Sequence, residues 1–180
     1  MSWFLGPAAL LTLLSAPSVS VLASPFSFRA PYTTFDAGFL TTGFATGDID
    51  GDGHLDVVSC SEGDSSIAVV RGRGDGTFAP FVRYALGYRA TDVTVVDLNG
   101  DGRLDVVVAS AASTGSIVTV FLGTGGGSLG TPLHHTVSTT SYAGARIRSG
   151  DVDEDGTPDL VVTEQQATLA ILPRAWRRNT

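Results

Sequence analysis

An acidic nine-residue string occurs three times in this chain, and no other feature constrains the fold as strongly. The copies are Asp48-Ile49-Asp50-Gly51-Asp52-Gly53-His54-Leu55-Asp56, Asp97-Leu98-Asn99-Gly100-Asp101-Gly102-Arg103-Leu104-Asp105 and Asp151-Val152-Asp153-Glu154-Asp155-Gly156-Thr157-Pro158-Asp159. Their starts lie 49 and 54 residues apart, a period that suits one four-stranded β unit. Each copy is followed by a β-branched run (Val57-Val58, Val106-Val107-Val108, Leu160-Val161-Val162). A second apolar run comes next, at Ile67–Val70, Ile117–Leu122 and Leu169–Leu172. Strand candidates also precede the strings: Val93–Val96 directly, and Phe28–Tyr32, Phe81–Tyr84 and Leu133–Val137 further upstream. No window outside the leader carries the 3.6-residue period of an amphipathic helix. Short strands with glycine-rich turns predict an all-β chain of three four-stranded antiparallel units, over about 26–72, 79–123 and 131–173.

The strings have the chemistry of a calcium loop. Calcium takes six to eight oxygen ligands in a flexible shell, and a tight turn brings side chains at positions 1, 3, 5 and 9 toward one point. Loop one offers Asp48, Asp50, Asp52 and Asp56, loop two Asp97, Asn99, Asp101 and Asp105, and loop three Asp151, Asp153, Asp155 and Asp159. Position 7, held by His54, Arg103 and Thr157, can add a backbone carbonyl. Gly53, Gly102 and Gly156 at position 6 allow the sharp turn. Four acids in the first loop, three in the second and five in the third (counting Glu154) make twelve of the eighteen in the chain. Such clusters repel one another unless a cation is present. Three calcium ions would bring the formal charge from -7 to about -1. Position 12 holds Ser59, Val108 and Val162 where a helix-based calcium loop needs Glu, and strands follow the loops, so these are not EF-hands. The expected affinity is of order 10⁻⁴ to 10⁻³ M.

Other signals carry less. A pI near 4.7 argues against nucleic acid as a partner. Cys60 is the single cysteine, so no internal disulfide can form, and its apolar setting suggests a buried thiol. Gly125–Gly130 matches G-x-G-x-x-G, but Thr131-Pro132 replaces the helix that nucleotide binding needs, and a hairpin turn is expected. Arg73-Gly74-Asp75 lies inside a glycine-rich turn. His134 and His135 are neighbours in a strand, hence on opposite faces, and are expected to be exposed. The chain lacks H-E-x-x-H and C-x-x-C. Residues 1–23 read as an export signal: Trp3–Leu14 is largely apolar and Val21-Leu22-Ala23 suits cleavage before Ser24, although the first basic residue is Arg29. The expected location is secreted or at the cell surface.

Gly47–Val58 and Val96–Val106 resemble the core of an FG-GAP (VCBS-type) repeat, and Gly72-Arg73-Gly74-Asp75-Gly76-Thr77-Phe78 resembles the turn of the same blades. The resemblance spans nearly all of the chain after the leader. It implies β-propeller blades distantly like those of the integrin α chain, with calcium in the loop between the first two strands of each blade. It also implies a role in ligand recognition or adhesion toward a protein or glycan, without catalysis. The alternative it allows is a fragment or accessory domain of a carbohydrate-active lyase or hydrolase. Two departures stand out. Pro173-Arg174-Ala175-Trp176 replaces the glycine-rich turn in the third unit, and closed propellers have about 4 to 8 blades. The expectation is therefore an incomplete or open propeller: a piece of a longer chain, an open arc, or a protomer that closes by self-association.

Overall fold

The computed structural model describes residues 34, 38–113, 115–138, 145–163 and 169–172. The expected export signal, the expected strand at Phe28–Tyr32 and the C-terminal tail lie outside them. The described residues belong to one compact unit that starts at Thr34. They form strands and turns, with no helix among them.

The first sheet is a meander of β1 (Thr41–Gly47), β2 (Asp56–Ser61), β3 (Ser66–Val70) and β4 (Val82–Ala85). The second contains β5 (Arg89–Val96), β6 (Asp105–Ala112), β7 (Gly115–Phe121) and β10 (Leu133–Ser138), paired in that order. A small hairpin of β8 (Gly123–Gly125) and β9 (Ser128–Leu129) is inserted before β10. The third sheet has β11 (Arg146–Gly150), β12 (Asp159–Thr163) and β13 (Leu169–Leu172) among the described residues. All pairs are antiparallel.

This grouping moves the unit boundaries by one strand. The segments at Phe81–Tyr84 and Leu133–Val137, expected to open the second and third units, instead close the first and second sheets. Tyr84 pairs with Ile67, and His135 with Val118. After each glycine-rich turn the nearest unpaired edge belongs to the strand just left, and the chain folds back onto it. A periodic sequence reveals its period but not where the structural unit begins.

The sheets stack face to face. Val58, Cys60, Ile67 and Val69 of the first sheet meet Ala90, Val93, Val106 and Val108 of the second. Val107, Ala109, Val118 and Val120 on the opposite face of the second meet Ala145, Ile147, Leu160 and Val162 of the third. Neighbouring residues of β6 therefore point into different cores, so the valine run there is continuous rather than alternating. Cys60 is fully buried, and burial pushes its thiol pKa up, as a structural cysteine requires.

The inner strands are tied across the stack. β1 and β5 each carry a bulge, at Thr42 and Thr91. The hydroxyl of Thr42 donates to Ala90 O at 2.9 Å, and that of Thr91 lies 2.8 Å from Ala145 O. Beside the second bulge the buried carboxylate of Asp92 accepts the Ile147 N–H (3.1 Å) and Arg148 Nη1 (2.7 Å) of the third sheet. A bulge turns one side chain out of the pleat, and here that residue reaches the next sheet.

Candidate metal centre

Each acidic string forms the turn between the first two strands of its sheet. Gly51 and Gly53 have φ of 79° and 86°, and Gly100 and Gly102 have 75° and 80°. Positions 4 and 6 of the loop are thus both left-handed. In the third loop Gly156 has φ 83°, but Glu154 occupies position 4 at 61°, a conformation that disfavours a side chain.

The position-1 carboxylate organises the turn. Asp48 Oδ1 accepts the N–H groups of Gly51 and Asp52, and its Oδ2 accepts that of Gly53, at 2.8–3.0 Å. Asp97 repeats these bonds with Gly100, Asp101 and Gly102. Asp151 bonds to Asp155 and Gly156. At position 3, Asp50, Asn99 and Asp153 each accept the N–H two residues on. At position 5, Asp52, Asp101 and Asp155 turn back to accept the N–H of His54, Arg103 and Thr157.

Position 9 is the buried anchor. Asp56 and Asp105 are fully buried and Asp159 is nearly so. Asp56 Oδ2 accepts the Ile49 N–H (2.9 Å) from inside the loop, and its Oδ1 accepts the Gly72 N–H (2.8 Å) at the end of β3. Asp105 does the same with Leu98 and Gly123, and Asp159 accepts the Val152 N–H. One carboxylate therefore joins the loop to the strand that leads into the glycine-rich turn. This partner was missed at the sequence level, although a glycine two residues past β3 and β7 recurs at 72 and 123. Those glycines are required: a Cβ on Gly72 would lie 2.3 Å from Leu55 O, and one on Gly123 2.4 Å from Leu104 O.

The loops bring together positions 1, 3 and 9. Asp48, Asp50 and Asp56 offer oxygens that all lie within 4.8 Å of one another, and so do Asp151, Asp153 and Asp159. The second loop places Asp97, Asn99 and Asp105 with the same hydrogen bonds, an amide oxygen standing for the middle carboxylate. The position-5 carboxylates and the residues at position 7 are engaged with each other in the turn. Oxygens on opposite sides of one calcium ion are about 4.6–5.2 Å apart, so the triads of the first and third loops each fit within a single coordination sphere. The protonation behaviour agrees with crowded acids: burial, then the charges of Asp56 and Asp52, raise the Asp50 pKa. Burial raises Asp105. Burial also acts to raise Asp97, but the N–H groups of Gly102, Gly100, Asp101 and Asn99 outweigh it and leave its pKa lowered. A divalent ion would offset the carboxylate repulsion at Asp50 and Asp105.

The discounted motifs fall where turn and strand chemistry puts them. Gly125–Gly130 is the β8–β9 hairpin and its exit. Arg73-Gly74-Asp75 lies in the turn closed by the Gly72–Phe78 bridge. His134 is exposed, with Nδ1 3.0 Å from Thr119 Oγ1; His135 is half-buried rather than exposed.

Stacked antiparallel meanders, each with an acidic turn between its first two strands, define a propeller-type repeat protein. The family model of the FG-GAP-like repeat matches residues 48–108 and 97–162, and the chain belongs to that family. No curated protein matches the chain.

Proposed function

We propose that this is an exported, calcium-binding propeller module for recognition or adhesion, with a protein or glycan as ligand and no catalysis of its own. The observation that carries the calcium reading is the cradle itself. The same backbone donors orient positions 1, 3 and 9 in successive loops, and two of the triads gather three carboxylates within 4.8 Å. Calcium would be held by Asp48, Asp50 and Asp56, by Asp97, Asn99 and Asp105, and by Asp151, Asp153 and Asp159. Its charge would neutralise the cluster and stiffen the turn. In the first two loops Asp56 and Asp105 carry that order onward to Gly72 and Gly123, so the exposed turns beyond them become a fixed surface for a ligand. Magnesium fits less well, because it keeps its waters and demands a stricter octahedron.

Among the described residues, the stack is open at its first face. Val93 and Ile147 are 2% and 0% exposed, whereas Phe44, at the matching place in β1, is 73% exposed. Further blades or a second copy would seat there. Two copies would supply six blades.

A thermal melt with and without millimolar calcium, alongside light scattering, tests both parts. Calcium that binds only the folded chain adds about 2.7 kcal/mol at a hundredfold excess over its dissociation constant. The midpoint should rise in the wild-type chain and stay put in the Asp48→Ala, Asp97→Ala, Asp151→Ala variant. A cooperatively folded wild-type chain with no calcium response would overturn the metal reading. The measured mass separates an arc from an assembled ring.

A further inference from the structure

The loops share a backbone but not an electrostatic setting. In the second loop Arg103 Nη2 lies 2.5 Å from Asp101 Oδ2, and its Nε donates to Gly123 O at 2.8 Å, which holds the guanidinium over the loop. Asn99 Nδ2 donates to the same Asp101 oxygen at 2.9 Å. In the first loop Arg71 Nη1 lies 3.8 Å from Asp50 Oδ2. Arg71 is confined by the turn of the β8–β9 hairpin: a Cβ on Gly127 would sit 2.8 Å from Arg71 Cδ and 3.1 Å from Asp50 Cβ. The third loop has Thr157 where the second has Arg103.

We propose that the three loops differ in calcium affinity, the second being the weakest, because Arg103 and Arg71 are anchored competitors that engage loop carboxylates in the second and first loops. The inference rests on the calcium reading above. Counting each loop with the arginine that pairs with it among the described residues gives formal charges of -3 for the first, -2 for the second and -5 for the third. The second loop also offers a neutral amide where the others offer a carboxylate. One unit charge a few ångströms from a divalent ion, in water and partly screened, changes affinity by about three- to tenfold. The arginines thus set affinity without being ligands, and they spread the filling of the module over a range of calcium concentration.

The test is calorimetric titration of the full chain with calcium, with the fold of every variant checked by circular dichroism. The wild-type chain should bind in separable classes, one site weaker than the rest, and Asp97→Asn should remove that class. Arg103→Gln should tighten the weak class about three- to tenfold, Arg103→Lys should leave it within about twofold, and added salt should shrink the difference. Arg71→Gln should tighten a different class, and it decides the matter if Arg103→Gln fails to fold. Equal affinities in the wild-type chain with no gain in either glutamine variant overturn the ordering while leaving the calcium reading intact. No calcium binding to the folded wild-type chain overturns both.

Discussion

At the residue scale the buried aspartates at position 9 have two jobs that can be separated. Asp105 accepts two buried N–H groups whether or not an ion is present. Asp105→Ala should therefore destabilise the chain by about 2–4 kcal/mol even in chelator, since each stranded donor costs about 1–3 kcal/mol. Asp105→Asn, which keeps an acceptor, should cost less; urea unfolding measures both. A second prediction concerns Glu154, left-handed where the sister loops have glycine. Glu154→Gly should stabilise the chain by about 1 kcal/mol, read as a higher urea midpoint without a change in slope. A third concerns acid. The Phe39 N–H, then Arg83, hold the Asp64 carboxyl below its usual range. A depressed carboxylate contributes stability above its unfolded pKa and loses it as pH falls through the folded value. Asp64→Asn should make the loss of stability below about pH 4 shallower. The candidate ligands at positions 1, 3 and 9 were legible from spacing alone, because a short turn leaves few ways to point oxygens inward. That the position-5 carboxylates fold back onto the turn was not, because it depends on backbone angles at positions 4 and 6.

At the element scale the acidic turn and the glycine-rich turn form one device, joined by Asp56 to Gly72 and by Asp105 to Gly123. Gly72→Ala and Gly123→Ala should each cost roughly 1–3 kcal/mol, because the added methyl must displace the Leu55 or Leu104 carbonyl. Either variant should also weaken calcium binding in its own loop and leave the other loops unchanged, as titration would show. The strands after each acidic turn, and β5 before the second, were readable as apolar, β-branched runs, whereas β1 (Thr41–Gly47) and β11 (Arg146–Gly150) were not. Which sheet owned Val82–Ala85 and Leu133–Ser138 was not, since pairing is a matter of which edge is free.

At the scale of the whole molecule, each core is shared by two sheets, so no sheet buries its apolar faces alone. Ile147→Ala should cost about 2–4 kcal/mol and shift the whole transition rather than split it; tyrosine fluorescence and far-ultraviolet circular dichroism should still coincide. Local chemistry was enough to determine the all-β class and the acidic turns, because each depends on residues within about ten positions of one another, and the recurrence of the acidic string at 48, 97 and 151 was enough to determine the three-fold repeat. Thr42 reaching Ala90, Thr91 reaching Ala145 and Asp92 reaching Arg148 could not be read that way. Nor could the confinement of Arg71 over the first loop by Gly127 of the β8–β9 hairpin. These contacts join residues far apart in the chain, and only the stacking of one sheet on the next brings them within hydrogen-bond or ion-pair range.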